Sequence, residues 1–407
     1  MKHVIIGAGA AGITAVKTIR KLDSKAEITL ISSDDSVYSR CMLDRYLSKE
    51  RNEKTLNFVA DDFFLAKSIK WIPGTTLKQI NIEDHTVILS DASILAYDKL
   101  LLATGSHSVI PPIGTLKNAE NVVGLRNLSD AQRIVEMSDP QKGVVIIGSG
   151  LVGMDAAYGL LKRETPVSIV EMGDHILPLQ LDETASKTYQ ILFEEHGCKF
   201  SLGHKVVDTE SDTNGKIVAV ILDDGTVLNC GLVIAAVGVK ANTDVLPPLA
   251  FNGSGVLLID AQMKTALPDV FAAGDVTGLS GIWLSAVKQG EVAAYSMTGN
   301  AKKYDDTYAL RNTMNYFGLP TLSLGSYCEQ AQDEVFVREC ANSYQRIVLR
   351  DGVVQSVILQ GNLDYSGIWQ YLIKNEVNIS AMKNKIFKLS FADFFATADN
   401  GEYQYLK

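Results

Sequence analysis

Short apolar runs followed at once by glycine-rich turns are the most regular pattern along the chain. Residues 4–6 and 144–147 are such runs, and each turn after them opens a helix-like segment. A short apolar run bounded by a turn is typical of a buried strand, and strands alternating with helices indicate a parallel sheet. Near the C-terminus, Asp351-Gly352 separates two β-branched runs and predicts a hairpin. The pattern therefore predicts an α/β protein with two Rossmann-like domains and a small α+β domain at its end.

The length and net charge of the chain limit its number of domains and the partners it is expected to bind. A chain of 407 residues is expected to form two or three domains. Its net charge of −9 argues against a general affinity for nucleic acid or for an anionic membrane surface. No apolar run approaches the roughly 18–20 residues that span a bilayer. The N-terminus also lacks the pattern of a signal peptide, so the expected location is the cytoplasm.

The cysteines and histidines do not predict a metal site. No two of the five cysteines have CxxC or CxxxxC spacing, which argues against a disulfide framework, an iron–sulfur cluster or a zinc site. The six histidines are scattered and are expected at the surface or at strand edges. Four cysteines are expected to be small buried residues, namely Cys198, Cys230, Cys328 and Cys340.

Both glycine-rich turns have the G-x-G-x-x-G spacing of a dinucleotide-binding fingerprint. The first glycine allows the tight turn, the second lets the backbone approach a pyrophosphate, and the third lets the helix pack close to the strand. The pyrophosphate then lies at a helix N-terminus, where free N–H groups favour negative charge. Two such turns predict two nucleotides, one of which can reduce the other. The predicted binding residues are Gly7, Gly9, Ala10, Ala11 and Gly12 in the first turn, and Gly148, Gly150, Val152 and Gly153 in the second.

The group that holds the adenosine ribose is expected at the end of the second strand of each unit. After the second turn this residue is Glu171, close to the expected spacing of about 20 residues. A carboxylate there accepts hydrogen bonds from the ribose hydroxyls and repels a 2′-phosphate, which predicts NADH over NADPH. In the first unit the matching position is Ser32, and Ser33 and Asp34 follow it as further candidates for this contact.

Residues 265–275 end in Gly274-Asp275 and resemble the Gly-Asp motif of the pyridine nucleotide–disulfide oxidoreductase superfamily. The resemblance implies that Asp275 contacts the ribityl chain of FAD. The segment that begins at Trp283 looks like the family helix whose N-terminus faces the pyrimidine end of the isoalloxazine. A helix N-terminus there would stabilise the negative charge of the reduced flavin. Two strand ends similar to cofactor contacts of the family add Ala103, Thr104, Gly105 and Gly238.

The resemblance extends over nearly the whole chain and implies its domain organisation. An FAD-binding domain would comprise residues 1–109 and 240–300, with an NAD-binding domain inserted at 110–239. Residues 301–407 resemble the C-terminal domain of NADH–rubredoxin oxidoreductases and the corresponding region of the NADH-dependent nitrite reductase large subunit. The family allows a homodimer.

The segment 38–48 decides what reacts with the reduced flavin in this family. Disulfide reductases carry a CxxxxC pair here, but this chain has Tyr46 where the second cysteine would stand. The electron-transferring relatives read approximately Tyr-x-Arg-Pro-x-Leu-Ser-Lys. Arg40 and Arg45 fit that pattern, and Cys41 occupies the position of the proline.

Cys41 therefore has two interpretations. A thiolate between Arg40 and Arg45 would have a depressed pKa and act as a nucleophile. The alternative, which the flanking arginines and the C-terminal domain favour, is a small residue that packs beside the flavin. Arg45 is then a candidate to stabilise the anionic reduced flavin in place of the family's lysine. Its own alternative is an ion pair with Asp44 or Asp35.

The resemblance predicts an FAD-dependent NADH oxidoreductase. Hydride passes from NADH to FAD, and the electrons then pass one at a time to a small redox protein, best matched by a rubredoxin-like iron carrier. A second hypothesis is a Cys41-dependent NADH oxidase, NADH peroxidase or coenzyme A disulfide reductase. A third, from another class, is a flavin-binding redox sensor or assembly subunit.

Overall fold

The computed structural model describes residues 1–252, 255–306, 311–325 and 329–405. The α-helices are α1 (Ala10–Leu22), α2 (Leu43–Leu47), α3 (Glu53–Leu56), α4 (Phe63–Ala66), α5 (Leu128–Met137), α6 (Leu151–Leu161), α7 (Glu183–Glu195), α8 (Trp283–Met297) and α9 (Ser366–Lys374). Short 3-10 turns lie at Arg40–Met42, Pro248–Ala250, Asp275–Thr277, Ser380–Lys388 and Phe391–Phe394. None of the described helices combines the length and the apolar character that crossing a membrane requires.

The strands are short and are numbered in chain order. They are β1 (Lys2–Ile6), β2 (Glu27–Ile31), β3 (Ile69–Ile72), β4 (Leu77–Asn81), β5 (Thr86–Leu89), β6 (Ile94–Ala96), β7 (Lys99–Leu102), β8 (Ser106–Ser108), β9 (Val122–Val123), β10 (Val144–Ile147), β11 (Val167–Glu171), β12 (Cys198–Leu202), β13 (Val206–Ser211), β14 (Ile217–Leu222), β15 (Val227–Asn229), β16 (Leu232–Ala235), β17 (Val239–Ala241), β18 (Val270–Ala272), β19 (Arg311–Tyr316), β20 (Leu319–Gly325), β21 (Glu334–Cys340), β22 (Ser343–Arg350), β23 (Val353–Gln360), β24 (Phe395–Thr397) and β25 (Tyr403–Tyr405).

The chain divides into two compact units. The first contains residues 1–148, 152–170 and 205–306, and the second contains residues 149–151, 171–204 and 307–407. These bounds differ from the domain boundaries that the sequence suggested, which stay a prediction.

The first unit contains a parallel sheet in the order β18–β7–β1–β2–β3. Four of the five residues of β1 are buried, because helices and strands cover both faces of the sheet. Helices α1 and α8 pack on one face, around Ile5 and Leu101. On the opposite face, Val4 and Leu100 pack against the antiparallel strands β4–β6.

A second parallel arrangement in the first unit runs β11–β10–β16–β9. All four residues of β10 are buried, as expected for the central strand of a parallel sheet. The antiparallel strands β13–β15 cover one face through contacts of Val220 with Val145 and Val233. Strands β8 and β17 form a separate antiparallel ribbon.

The second unit is built on an antiparallel sheet in the order β19–β20–β23–β22–β21. Helix α9 covers one face, where Leu372 joins Ile347 and Leu359 in the core. Helix α7 belongs to the same unit, and the hydroxyl of Tyr189 donates to the carbonyl of Leu319 at 2.6 Å. The two parallel sheets and this C-terminal sheet confirm the predicted fold class.

Two expectations about burial are wrong. Cys198 and Cys230 are buried as predicted, but Cys340 is exposed, because it ends the edge strand β21. Cys328 lies outside the described residues. His3 was expected at the surface or at a strand edge. It is only 1% exposed, because β1 lies inside its sheet with a strand on either side.

Candidate functional site

A cavity of about 440 Å³ lies at the carboxyl ends of β1, β7 and β18 in the first unit. The ends of parallel strands are where open α/β sheets bind ligands. Fifteen of the predicted site residues line this cavity: Gly7, Gly9, Ala10, Ala11, Ser32, Ser33, Asp34, Arg40, Cys41, Ala103, Thr104, Gly105, Gly274, Asp275 and Trp283. These fifteen are half of the residues that form its wall.

The first glycine turn is shaped by two close backbone approaches. Gly7 has φ of +109°, and a Cβ there would lie 2.1 Å from the carbonyl oxygen of Ala103. A Cβ on Gly12 would lie 1.9 Å from the carbonyl oxygen of Gly7. No side chain caps α1 at Gly9, and its first turn holds no acidic residue. The N–H groups of that turn could therefore hold a pyrophosphate, which is the fit expected for a dinucleotide.

Asp34 is fixed by two partners at the cavity wall. Its carboxylate forms an ion pair with Arg40 at 2.5 Å and accepts a hydrogen bond from the Tyr38 hydroxyl at 2.9 Å. Burial raises the pKa of Tyr38 to about 12, so this hydroxyl keeps its proton. The Oγ of Ser32 accepts from the backbone N–H of Asp34 at 3.1 Å. Glu171 provides a carboxylate at this position after the second glycine turn. The matching position after the first turn is Ser32, and Arg40 holds the carboxylate of Asp34 nearby.

Asp275 has two partners that the sequence did not reveal. Its carboxylate forms an ion pair with Arg126 and accepts a hydrogen bond from the Ser106 Oγ at 3.3 Å. Arg126 lines the same cavity but lies about 150 residues away in sequence and belongs to no local motif. Asn242 also lines it and bonds to both backbone and side chain of Thr104. Only the fold brings these residues to the site.

Cys41 faces the cavity, and solvent reaches its side chain from that side. On its other sides the thiol is surrounded by protein atoms and is shielded from water. This desolvation, with the negative charge of Asp155 next in effect, raises the pKa of Cys41 to about 11. The direction is opposite to the depressed pKa that the nucleophile interpretation requires.

Arg45 is not among the residues that line the cavity. Its guanidinium pairs with Asp44 at 3.0 Å and with Glu50 at 2.6 Å, and it donates to the Tyr158 hydroxyl at 3.2 Å. Burial raises the pKa of Asp44, and Arg45 opposes that rise. The structure therefore favours the ion pair with Asp44 over a role beside the flavin.

The second glycine turn repeats the backbone geometry of the first. Gly148 has φ of +99°, and a Cβ there would lie 2.6 Å from the carbonyl oxygen of Ala236. A Cβ on Gly153 would lie 2.0 Å from the carbonyl oxygen of Gly148, whereas Gly150 faces open space. Val152 is exposed, and Gly238 has φ of +111°. This turn fits a second dinucleotide for the same reason as the first.

Glu171, the predicted ribose contact, is held by its own neighbours. One carboxylate oxygen accepts from the backbone N–H and the Oγ of Ser149, both at 2.8 Å. The other accepts from the N–H of Gly173 at 2.8 Å. Three of the roughly four acceptor sites of the carboxylate are thus occupied, and the Oε1 oxygen keeps one. The carboxylate is therefore fixed and can still accept a hydrogen bond from a ribose hydroxyl.

Comparison with known proteins agrees with this geometry. Residues 1–290 match the family model of pyridine nucleotide-disulphide oxidoreductases. The epsilon subunit of the NADH-dependent phenylglyoxylate dehydrogenase of Aromatoleum evansii is 31% identical over 404 residues, covering 94% of each chain. The NAD(P)H nitrite reductase of Bacillus subtilis (strain 168) is 26% identical over 93% of this chain, which spans 48% of that protein.

Solved structures share the fold over most of the chain. Putidaredoxin reductase, in its covalent complex with putidaredoxin, matches with a TM-score of 0.83 and 24% identity, covering 93% of this chain and 94% of the other. The NADH:rubredoxin oxidoreductase of Clostridium acetobutylicum matches with a TM-score of 0.76 and 23% identity, covering 94% and 97%.

Proposed function

The chain belongs to the pyridine nucleotide-disulphide oxidoreductase family and is an NADH-dependent flavoprotein oxidoreductase, and we propose that its electron acceptor is a small electron-carrier protein such as a rubredoxin. It binds FAD and NAD(H). Bound FAD supplies the redox chemistry, because a flavin accepts a hydride from NADH and can release its two electrons singly.

The residues of the cavity would hold FAD in the following way. The turn of Gly7, Gly9 and Gly12 and the N-terminus of α1 would bind the pyrophosphate. Asp275, oriented by Arg126 and Ser106, would bind the ribityl chain. Trp283, at the start of α8, would close the wall of the cavity together with Phe58, whose ring lies 4.9 Å away edge-on. These contacts would position the cofactor and exclude water from it.

The second turn and Glu171 would hold NADH. Glu171 would accept a hydrogen bond from the adenosine ribose at its free Oε1 site and repel a 2′-phosphate. Steady-state kinetics should therefore give a KM for NADPH at least about tenfold above that for NADH, the ratio that about 1.4 kcal/mol produces. A KM for NADPH equal to or below that for NADH would contradict the assignment.

The observation that carries the choice of acceptor is the state of Cys41. It is the only cysteine among the described residues that line the cavity, so no dithiol can form there. Its raised pKa keeps the thiol protonated near neutral pH, which weakens it as a nucleophile. A route through a cysteine thiolate is therefore disfavoured, and delivery of electrons to an external carrier is the alternative.

Stopped-flow spectroscopy tests this proposal. The holoenzyme is reduced with NADH and then mixed with a rubredoxin, a ferredoxin, hydrogen peroxide or coenzyme A disulfide, and Cys41→Ser is treated in parallel. We expect rapid reduction of a carrier protein at the same rate in both proteins. Rapid turnover of peroxide or disulfide that disappears in Cys41→Ser, with the carriers left oxidised, would overturn the proposal.

A second candidate role is that of a flavoprotein subunit in a larger dehydrogenase. Its support is the 31% identity over 94% of both chains to a protein named as subunit epsilon of such an enzyme. Affinity purification from the native host distinguishes the two roles. A complex of fixed stoichiometry that reduces NAD⁺ with an organic substrate favours the subunit. A protein that purifies alone, as the homodimer the family allows, favours the free carrier reductase.

A further inference from the structure

Gln289 on α8 is a fully buried polar residue directly behind the Gly274-Asp275 turn. Its exposed fraction is 0%, and it is not among the residues that line the cavity. Its Oε1 accepts a hydrogen bond from the backbone N–H of Gly274 at 2.7 Å. The Thr277 Oγ lies 3.2 Å from the same oxygen and 2.8 Å from the Gly274 carbonyl, so its single proton is shared between two acceptors. One side chain thus holds both ends of the turn.

The turn needs such a partner because the sheet cannot supply one. Strand β18 is the outer strand of its sheet and ends at Ala272, so no neighbouring strand accepts the N–H of Gly274. Gly274 is buried and has φ of +85° and ψ of −156°, a region open to glycine alone. The Gln289 amide oxygen therefore provides the acceptor that a neighbouring strand would otherwise provide, at the point where the backbone turns toward the cavity.

The amide is used on one side only. Its Nε2 has no hydrogen-bond partner within the described part of the chain, although it is buried. Since the N–H of Gly274 must meet an acceptor, the orientation of the amide is fixed with the oxygen toward the turn. A buried donor without a partner is unfavourable. The contribution of Gln289 therefore comes from its oxygen, which places an acceptor beside the turn.

Close packing holds that acceptor in place. The next residue on α8 is Gly290, where a Cβ would lie 2.2 Å from the carbonyl oxygen of Ala11 on α1. Ala11 lines the cavity, and its Cβ would lie 3.3 Å from a Cβ on Gly274. Helix α8 therefore cannot move closer to α1 without a clash, and the fully buried Gln289 side chain has little freedom.

We infer that Gln289 is a positioning residue for the Asp275 carboxylate, an inference that rests on the proposed contact of Asp275 with the FAD ribityl chain. Gln289 accepts the N–H of Gly274 and so holds the peptide before this glycine. It also holds Thr277, whose hydroxyl donates to the Gly274 carbonyl in the peptide that leads into Asp275. Together these contacts set the direction of the backbone at Asp275. Arg126 and Ser106 hold the carboxylate from the other side. Gln289 acts on FAD only through Asp275.

The test substitutes Gln289→Met, which keeps the length of the side chain but removes the acceptor. FAD affinity is measured by titrating the apoprotein, and its stability is measured separately by thermal unfolding. We expect the dissociation constant for FAD to rise at least tenfold. The matched control is Val292→Ala on the same helix, a core position with 2% exposure that lies outside the turn. It should lower the melting temperature and leave FAD affinity within twofold.

A double-mutant cycle distinguishes positioning from a general loss of structure. If Gln289 acts through Asp275, adding Gln289→Met to Asp275→Asn should weaken FAD binding no further than Asp275→Asn alone. Additive losses would overturn the positioning role. Gln289→Asn, which withdraws the amide by one methylene, replaces the methionine variant if that one does not fold.

The outcomes distinguish a failure of the proposed ribityl contact from a failure of the role of Gln289. Unchanged FAD affinity in Asp275→Asn would remove the proposed ribityl contact, and the inference with it. Weakened binding in Asp275→Asn but unchanged binding in Gln289→Met would leave the cofactor site intact and reject Gln289 alone. Equal weakening by Val292→Ala would also reject it.

Discussion

Single glycines set how closely backbone segments approach one another in the two glycine-rich turns. The two fingerprints use the same device, because the third glycine of each turn lies against the carbonyl of the first, at Gly12 and Gly153. At such positions even one methyl group meets backbone rather than a movable side chain. The consequence can be tested at one residue.

Gly12→Ala should abolish FAD binding. Its Cβ would lie 1.9 Å from the carbonyl oxygen of Gly7, so α1 must move away from β1. Overpacking of this kind costs about 1–3 kcal/mol and displaces the N–H groups proposed to bind the pyrophosphate. The purified variant should lack the visible flavin spectrum. The control is Gly367→Ala, outside the cavity, where a Cβ would meet only the Phe391 ring at 3.5 Å, an ordinary contact distance, and which should stay yellow.

His3 gives the protein a stability that depends on pH. Burial, followed by the positive N-terminus, lowers the pKa of His3 to about 4, and neither ring nitrogen has a partner in the described structure. The unfolded chain therefore binds more protons than the folded one between about pH 6.5 and pH 4. The free energy of unfolding that comes from neutral His3 should be fully present above this window. It should be lost as the pH is lowered through the window, by about 3 kcal/mol at most.

The measurement for His3 is urea unfolding of the wild type and of His3→Leu between pH 4.5 and pH 7.5. We expect the difference between the two proteins to grow in favour of the leucine variant as the pH falls. The other acidic groups titrate in both proteins and cancel in this difference. A difference that does not vary with pH would contradict the assignment.

At the scale of elements, the segment beside Cys41 is held to α6 by a charged cluster. Arg45 pairs with Asp44 and Glu50, and the Tyr158 hydroxyl on α6 donates to Glu50 at 3.1 Å. Gly159 lets α6 approach this segment, since a Cβ there would lie 2.4 Å from the Cβ of Leu47. The cluster thus connects the first fingerprint's neighbourhood to the helix that follows the second.

Tyr158→Phe should destabilise the protein by about 1 kcal/mol. It removes the hydrogen bonds with Glu50 and Arg45 but keeps the ring, and Glu50 is 41% exposed, which screens the interaction. The measurement is chemical unfolding of Tyr158→Phe, Arg45→Met and the double variant. The double variant should lose less than the sum of the single ones, because both substitutions break the same contact. Additive losses would show that the two residues act independently.

What the sequence predicts well is chemistry that lies on one short segment. The glycine turns, Glu171 and Gly274-Asp275 each lie at the end of a strand or within two residues after it, so their spacing alone places them there. Arg126, Asn242 and Gln289 could not be predicted in this way, since each reaches the site from another element. Their contacts depend on which strands are neighbours in the sheet.

Arg45 and His3 show where a local pattern is not sufficient. The spacing of Arg45 predicts a place beside the flavin, which stays a prediction, and in the structure the nearby carboxylates of Asp44 and Glu50 attract its guanidinium. The polarity of His3 predicts exposure, which is wrong because its strand is central and covered on both faces. In both cases the tertiary environment outweighed the local pattern.

At the scale of the whole molecule, the C-terminal residues complete a core rather than forming an appendage. In the second unit, Tyr189 and Phe193 of α7 are 0% exposed, and the rings of both lie 5.3 Å from that of Tyr316. Ser323 donates to the carbonyl of Gln180 at 2.6 Å in the same unit. The strands after residue 310 therefore bury the apolar side of a helix that lies before them in sequence.

Removal of residues 307–407 should yield a chain that aggregates. It would expose Tyr189 and Phe193 together, and truncating one buried aromatic residue alone costs about 3–5 kcal/mol. Light scattering and dye binding report the exposure. Tyr316→Ala should show a milder loss of melting temperature, and Tyr365→Ala, at a position 74% exposed, should show almost none. A soluble, cooperatively unfolding truncated chain would contradict this view.

The position of β18 has a consequence for how the protein is made. It pairs with β7, about 170 residues earlier, and it leads into Gly274 and Asp275. A ribosome adds roughly 5–20 residues each second. One edge of β7 therefore stays unpaired after its synthesis until β18 has been made. The cavity proposed to hold FAD, whose wall includes Trp283 and Ala286, is therefore completed late in the synthesis of its unit. FAD supply during synthesis should raise the yield of folded protein only after this point, which makes cofactor uptake a late step of biogenesis.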